Sequence, residues 1–252
     1  MLLYLRDASG KLISVRFQLV STNAVTLSTT LSNVSMHEDV LMDDAAPLTE
    51  NRKAGNFKTS NASINLTEGS FYRNVYFNMQ ETEGDKSLYS NIISVYKETE
   101  PLQKSAVLNI KPINLPTSLQ SKALIVKIKN GNKIPVTSSF ANDVVSGKIY
   151  SFGNYAIAVD ETNPVISTIN LEYDSVYNCR SVVVSTTDNL SGIKSHECFV
   201  NDVWTVSEYI QKENKIVCLI KDATLQKLSF KVIVEDSKGN STQKEIKLST
   251  EK

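Results

Sequence analysis

Apolar and polar residues alternate with period two through most of the chain, as where Ile13, Val15, Phe17 and Leu19 are separated by Ser14, Arg16 and Gln18. Successive side chains on a strand point to opposite faces, so this spacing predicts strands with one face in a core and one in water. It recurs in Leu124, Val126 and Ile128 against Lys127 and Lys129, and in Tyr155, Ile157 and Val159. Leu228, Phe230, Val232 and Val234 against Ser229, Lys231 and Glu235 repeat it once more. Each of these strands is expected to keep one wet face, and helical periodicity is hard to find. With Thr, Ser, Val and Ile abundant and turn signals roughly every ten residues, the pattern predicts an all-β chain of antiparallel β-sandwiches rather than a parallel α/β sheet.

Two breaks divide that pattern. Ser32 to Asn56 is polar, acidic and poorly periodic, which predicts a loop or linker, with the next sandwich beginning near Phe57. At Asp160 to Pro164 (DETNP), Pro164 stiffens the chain and disfavours helix at Asn163, as suits a connector between modules. An internal echo supports the division: Leu5 to Leu19 and Val234 to Leu248 both read as strand, D-x-x-G, strand. Gly10 and Gly239 would supply the positive φ of a tight hairpin, with Asp7 and Asp236 bonding back to the turn. The expected organisation is a terminal hairpin over residues 1–20, a linker over 21–56, a middle sandwich over 57–160 and a C-terminal sandwich over 161–252. A lone hairpin is marginal in water, so residues 1–20 are expected to be the tail of a domain whose earlier strands precede them.

Charge and cysteine content narrow the function classes. Lys and Arg number 27, as do Asp and Glu, with no long run of one sign, so nothing favours nucleic acid or an anionic membrane as partner. The opening MLLYLRDASG is too short an apolar run for a signal-peptide core or a membrane span. Cys179, Cys198 and Cys218 show no C-x-x-C spacing. They are expected to be small buried hydrophobes, although one disulfide with one thiol left over is open to them.

The candidate chemistry is thin. His196, Glu197 and Cys198 stand side by side between DNLSGI and NDVW, but on a strand only His196 and Cys198 share a face, and two ligands do not make a site. The one other histidine is His37, so a His-rich zinc site cannot be built. G-x-S-x-G, Walker A, G-x-G-x-x-G and H-E-x-x-H motifs do not occur. The carboxylate pairs Asp43–Asp44 and Glu98–Glu100 are expected to be solvated loop charges. Calcium is the more serious ion hypothesis, because Asp188, Asn189, Asp202, Asp236 and Asn240 lie in turns that could converge at one end of a sandwich, although Asx turns explain each of them locally. No catalytic, cofactor-binding or metal residue is therefore assigned. Five N-x-S/T sequons begin at Asn33, Asn61, Asn65, Asn189 and Asn240, and Tyr72, Tyr76 and Trp204 are candidate glycan-stacking aromatics.

Several phrases occur in a telling order: GSFYRNVYF (Gly69 to Phe77), TEPLQKSAVLNIKP (Thr99 to Pro112), SFGNYAIAVDETNPVI (Ser151 to Ile166), DNLSGI (Asp188 to Ile193), NDVWTVSEY (Asn201 to Tyr209) and VEDSKGNS (Val234 to Ser241). In this order they resemble the accessory β-sandwich region that follows the catalytic domain of large exported lysostaphin-type zinc metallopeptidases of Gram-negative bacteria. The resemblance covers most of the chain from about Phe57. Similar proteins often open the strand before VEDSKGNS with Gly and His, where this chain has Gln226, Lys227 and Leu228. The family's zinc ligands, in H-x-x-x-D and H-x-H, have no counterpart, so no catalytic residue carries over. The resemblance implies an exported parent that cuts peptidoglycan cross-links, a periplasmic or envelope setting, cell-wall peptidoglycan as partner, and a non-catalytic positioning role. A stand-alone adhesion or glycan-binding module is the alternative. The expected fold is two β-sandwiches, the second immunoglobulin-like, with Trp204, Val182, Val184, Phe230, Val232 and Val234 in its core.

Overall fold

A computed structural model of the 252-residue chain describes residues 2–6, 12–16, 48–50, 52–174, 179–220 and 227–249. Residues 1–46 and 47–252 are separate compact units. In the first, β1 (Leu2–Arg6) and β2 (Leu12–Arg16) pair antiparallel, with Arg6 opposite Leu12. Asp7, Gly10, Phe17 and Leu19, assigned above to this hairpin, lie outside the described residues, as do His37, Asp43, Asp44 and Asn33.

The second unit begins with short strands: β3 (Leu48–Thr49), β4 (Gly55–Lys58), β5 (Ala62–Leu66), β6 (Val75–Tyr76), β7 (Met79–Thr82), β8 (Ile92–Val95) and β9 (Ala106–Ile110). A 3-10 turn over Thr117–Lys122 leads into β10 (Ala123–Lys129), β11 (Asn132–Val136), β12 (Ser138–Ala141), β13 (Val144–Ile149) and β14 (Gly153–Val159). Two five-stranded antiparallel sheets, ordered β11-β10-β14-β8-β7 and β12-β13-β9-β5-β4, enclose a core that includes Ile64, Ile93, Leu108, Ile125 and Ile157. GSFYRNVYF divides by face: Phe71 and Phe77 pack with Tyr96 and Phe152, while Tyr72 and Tyr76 are exposed.

Ordered structure starts earlier than the sequence pattern predicts. Leu48–Thr49 already pairs with Val75–Tyr76, and Gly55–Lys58 pairs with β5, so the expected linker through Asn56 contains one strand and the start of another. They are two and four residues long, too short to display a period.

After the connector, β15 (Val165–Asp174), β16 (Cys179–Thr187), β17 (Ile193–Val200), β18 (Val203–Thr205), β19 (Ser207–Ile210), β20 (Lys215–Ile220), β21 (Lys227–Asp236) and β22 (Ser241–Ser249) form two four-stranded antiparallel sheets, β15-β16-β20-β19 and β18-β17-β21-β22. The molecule is thus an all-β sandwich structure with no closed barrel among its described sheets. Strand β21 realises the sequence alternation residue for residue: Leu228, Phe230, Val232 and Val234 are buried against Val182, Val184, Ile216 and Cys218 of the facing sheet. Full burial of side chains of this size stabilises by roughly 1.5–3 kcal/mol each.

Two expectations fail here. Trp204 is not core but 59% exposed. It pairs with Phe199, and because Cys198 and Val200 of β17 point inward, Phe199 and its partner must point outward. Nor does β10 have a wet face along its first half. Ile125 faces the main core, while Leu124 and Val126 on the opposite face are also buried, with Ala158, beneath Leu88 and Leu190. Leu88 belongs to the same sandwich and Leu190 to the second, so this face is covered jointly by its own module and the neighbouring one.

Candidate functional site

The two sandwiches meet where β14 ends and three polar segments converge: the connector at Asp160, the 188–192 turn after β16, and the 236–240 turn between β21 and β22. Each is built around an aspartate that accepts backbone N–H donors. The Asp160 carboxylate accepts from Thr162 N–H at 3.2 Å and, across the module boundary, from Ser191 N–H at 2.8 Å. Asp188 Oδ2 accepts from Leu190 and Gly192 N–H at 3.1 and 2.7 Å, around a turn in which Gly192 has φ +80°. Asp236 Oδ1 accepts from Lys238 and Asn240 N–H at 2.7 and 2.9 Å, and Gly239 at φ +75° closes the hairpin as its sequence predicts.

Cross-ties join these segments. Asn240 Nδ2 donates both to Asp236 Oδ2 at 2.6 Å and to the Asp160 main-chain carbonyl at 3.0 Å. Lys122, delivered by the 3-10 turn, donates to Asn240 Oδ1 at 2.6 Å and to the Lys238 carbonyl at 2.8 Å. Lys238 returns the link by donating to the Ser138 carbonyl at 2.9 Å. Burial lowers the Lys238 pKa, opposed by the negative charges of Asp160 and Asp236. Ser237 N–H donates to the Gly192 carbonyl at 2.9 Å, tying the two turns of the second sandwich together. Beside them Leu190 packs on Leu124, Val126 and Ala158. An open polar cleft bordered by Thr117, Gln120, Ser138, Phe140 and Lys238 runs alongside.

One carboxylate oxygen from each of Asp160, Asp188 and Asp236 lies within 4.8 Å of the others, so these three residues could hold a metal ion. Of the turn residues weighed for calcium from sequence, the fold brings Asp188, Asp236 and Asn240 together. It leaves Asn189 donating to Thr162 Oγ1 and Asp202 exposed in the turn after β17, 3.8 Å from Lys231. Strand β17 starts beside the junction and runs away from it, which carries Asp202 to the far end of the sandwich. Asp160 was missed as a site residue because it was read only as a boundary. The signal that could have found it is Thr162 two places on, since Asx turns close on the backbone N–H at that spacing.

The remaining candidates separate. His196 and Cys198 share the inward face and Glu197 points outward, as the strand period requires. His196 lies 6.3 Å from the Tyr209 ring and belongs to no cluster of three potential metal ligands among the described residues. Cys198 and Cys218 are fully buried on facing sheets with their thiols hydrogen-bonded to one another, while Cys179 is half-buried. The bond to Cys198 and burial push the Cys218 thiol up, and the same bond holds Cys198 down. Glu98 and Glu100 are not merely solvated: Glu98 pairs with Lys127 at 3.0 Å and Lys129 at 3.5 Å, and Glu100 with Arg73. Of the sequons, Asn240 is closed to modification by burial at 6% exposure and by its cross-ties.

A family model described as a Zu5-like domain matches residues 47–160, just under half of the chain. No curated protein matches the chain. The likeness therefore spans the first sandwich and ends on Asp160, the residue through which that sandwich grips the second.

Proposed function

We propose that the two-sandwich unit is a non-catalytic structural region that holds a binding or catalytic partner segment at a fixed geometry. The observation that carries this reading is the junction. A five-residue connector between β14 and β15 would by itself allow the modules to swing, yet Asp160, Lys122 and Lys238 each bond across the boundary and Leu190 fills it. Such ties oppose the relative motion that is the default between domains with small interfaces. In this reading the region serves an exported envelope protein, as an accessory to a lysostaphin-type peptidase acting on peptidoglycan. That finer assignment is supported only by the order of its sequence phrases.

Backbone amide relaxation tests the rigidity: both sandwiches are expected to share one rotational correlation time, and independent tumbling would refute the role. The peptidase link is tested by reading the gene upstream of Met1, where H-x-x-x-D and H-x-H should be encoded. A second reading, glycan binding, draws on the exposure of Tyr72, Tyr76 and Trp204, since an aromatic ring in water offers a stacking face. A blank glycan array removes it.

A further inference from the structure

We propose that Asp160, Asp188 and Asp236 bind one calcium ion, which locks the joint between the sandwiches. The first argument is charge. Asp160 and Asp236 are 1% and 0% exposed, and their carboxylates converge with that of Asp188 to within 4.8 Å. Buried charges are normally paired or bound to metal, and close carboxylates oppose each other's ionisation. The adjacent lysines make no direct ion pair with them, although the charges of Asp160 and Asp236 act on Lys238 at longer range: Lys122 donates to Asn240 Oδ1 and the Lys238 carbonyl, and Lys238 to the Ser138 carbonyl, all neutral oxygens.

The second argument rests on unpartnered atoms, two of them outside the acidic cluster. Among the described residues, three buried side-chain polar atoms lack any hydrogen-bond partner: Thr186 Oγ1, Asp188 Oδ1 and Ser191 Oγ. All three fall within six consecutive residues at this joint. Thr186 is 0% exposed and is the last inward-facing residue of β16, at the end of the core where Asp236 is the last inward-facing residue of β21. Native proteins rarely leave such atoms unsatisfied, so their concentration here points to a missing ligand. A hydrated cation answers all of them: Asp188 Oδ1 is free to ligate, and the two hydroxyls are free to bond the ion's waters.

The donor set selects the ion. It is all oxygen, without imidazole or thiolate, which suits a hard cation rather than zinc. Carboxylates gathered from three separate loops suit calcium's irregular coordination better than the strict octahedron of magnesium. Backbone N–H donors orient both Asp160 oxygens, Asp188 Oδ2 and Asp236 Oδ1, and Asn240 Nδ2 reaches Asp236 Oδ2, as supporting contacts do at metal centres, so that Asp188 Oδ1 is the one oxygen of the three carboxylates without a donor.

The test uses the full chain stripped with chelator and titrated with calcium chloride by calorimetry, with thermal unfolding followed in parallel. One calcium per chain and a raised unfolding midpoint are expected. Asp188→Asn retains an acceptor oxygen for the turn but removes one charge, and is expected to lose at least about tenfold in affinity together with the midpoint shift. Asp202→Asn, at the far end of the sandwich, is expected to behave as wild type. If Asp188→Asn does not fold, Asp160→Asn makes the same comparison. Absence of binding by the folded, stripped wild type overturns the proposal, as does undiminished binding by the junction variants. An equal response to magnesium overturns the choice of calcium. The proposal stands apart from the structural role above, because a stripped chain that fails to bind calcium while its sandwiches still tumble together refutes this site and leaves that role intact.

Discussion

Replacing Phe230 by Ala tests the core of the second sandwich. Phe230 is fully buried in β21, between Val200 of β17 and Ile246 of β22, with the facing sheet across the core. Truncating a buried Phe costs about 3–5 kcal/mol through lost transfer energy and a residual cavity. A domain of this size loses about 4–8 °C of midpoint per kcal/mol, so the second sandwich is expected to melt at least about 12 °C lower. Trp204→Ala is the paired control. At 59% exposure, Trp204 should change stability by no more than about 0.5 kcal/mol. Thermal unfolding followed by near-ultraviolet circular dichroism and calorimetry reads both variants. A near-wild-type midpoint for Phe230→Ala, or a larger loss for Trp204→Ala than for Phe230→Ala, would refute the facing of β17 and β21 described above.

Leu190→Ala removes the apolar plug of the joint. Because Leu190 is only half-buried, the cost should be about 1–2 kcal/mol, below the 2–5 of a fully buried Leu, and amide relaxation should report looser coupling of the sandwiches. In the native protein Cys179 is expected to react with iodoacetamide first, and Cys198 and Cys218 only on unfolding; peptide mass mapping after timed quenching checks the order. Burial of Glu81 would raise its pKa, but hydrogen bonds from Thr59, Asn61 and Asn91 outweigh this and lower it below the ordinary 4.5. A depressed carboxyl stabilises above its unfolded-state value and loses that contribution as pH falls through the folded one. Stability should therefore decline as pH drops below 4.5, and Glu81→Gln should flatten that decline in acid titrations followed by circular dichroism.

What could be read from sequence was what depends on neighbours in the chain. The alternation in β21 fixes its buried face because each residue's facing follows from the one before it. Turn chemistry at Asp188, Asp236 and Gly239 was visible for the same reason. Trp204 was misplaced because hydrophobicity does not set facing; its pairing with Phe199 does, and register is a property of two strands. The burial of Leu124 and Val126 draws on Leu88 and on Leu190, the latter more than sixty residues away. The meeting of Asp160 with Asn240 spans eighty positions. Local pattern thus supplied the parts of the candidate site, while their convergence belongs to tertiary packing.

The doubly covered strand β10 bears on how the protein can be dissected. A polypeptide stopped at residue 160, where the Zu5-like match ends, would keep the whole first sandwich and yet strip Leu190 from Leu124, Val126 and Ala158, with Leu88 left as their cover. Apolar surface uncovered in that way promotes self-association. Solubility of the isolated first half would therefore depend on replacing that stripe with polar residues or on retaining the segment that carries Leu190.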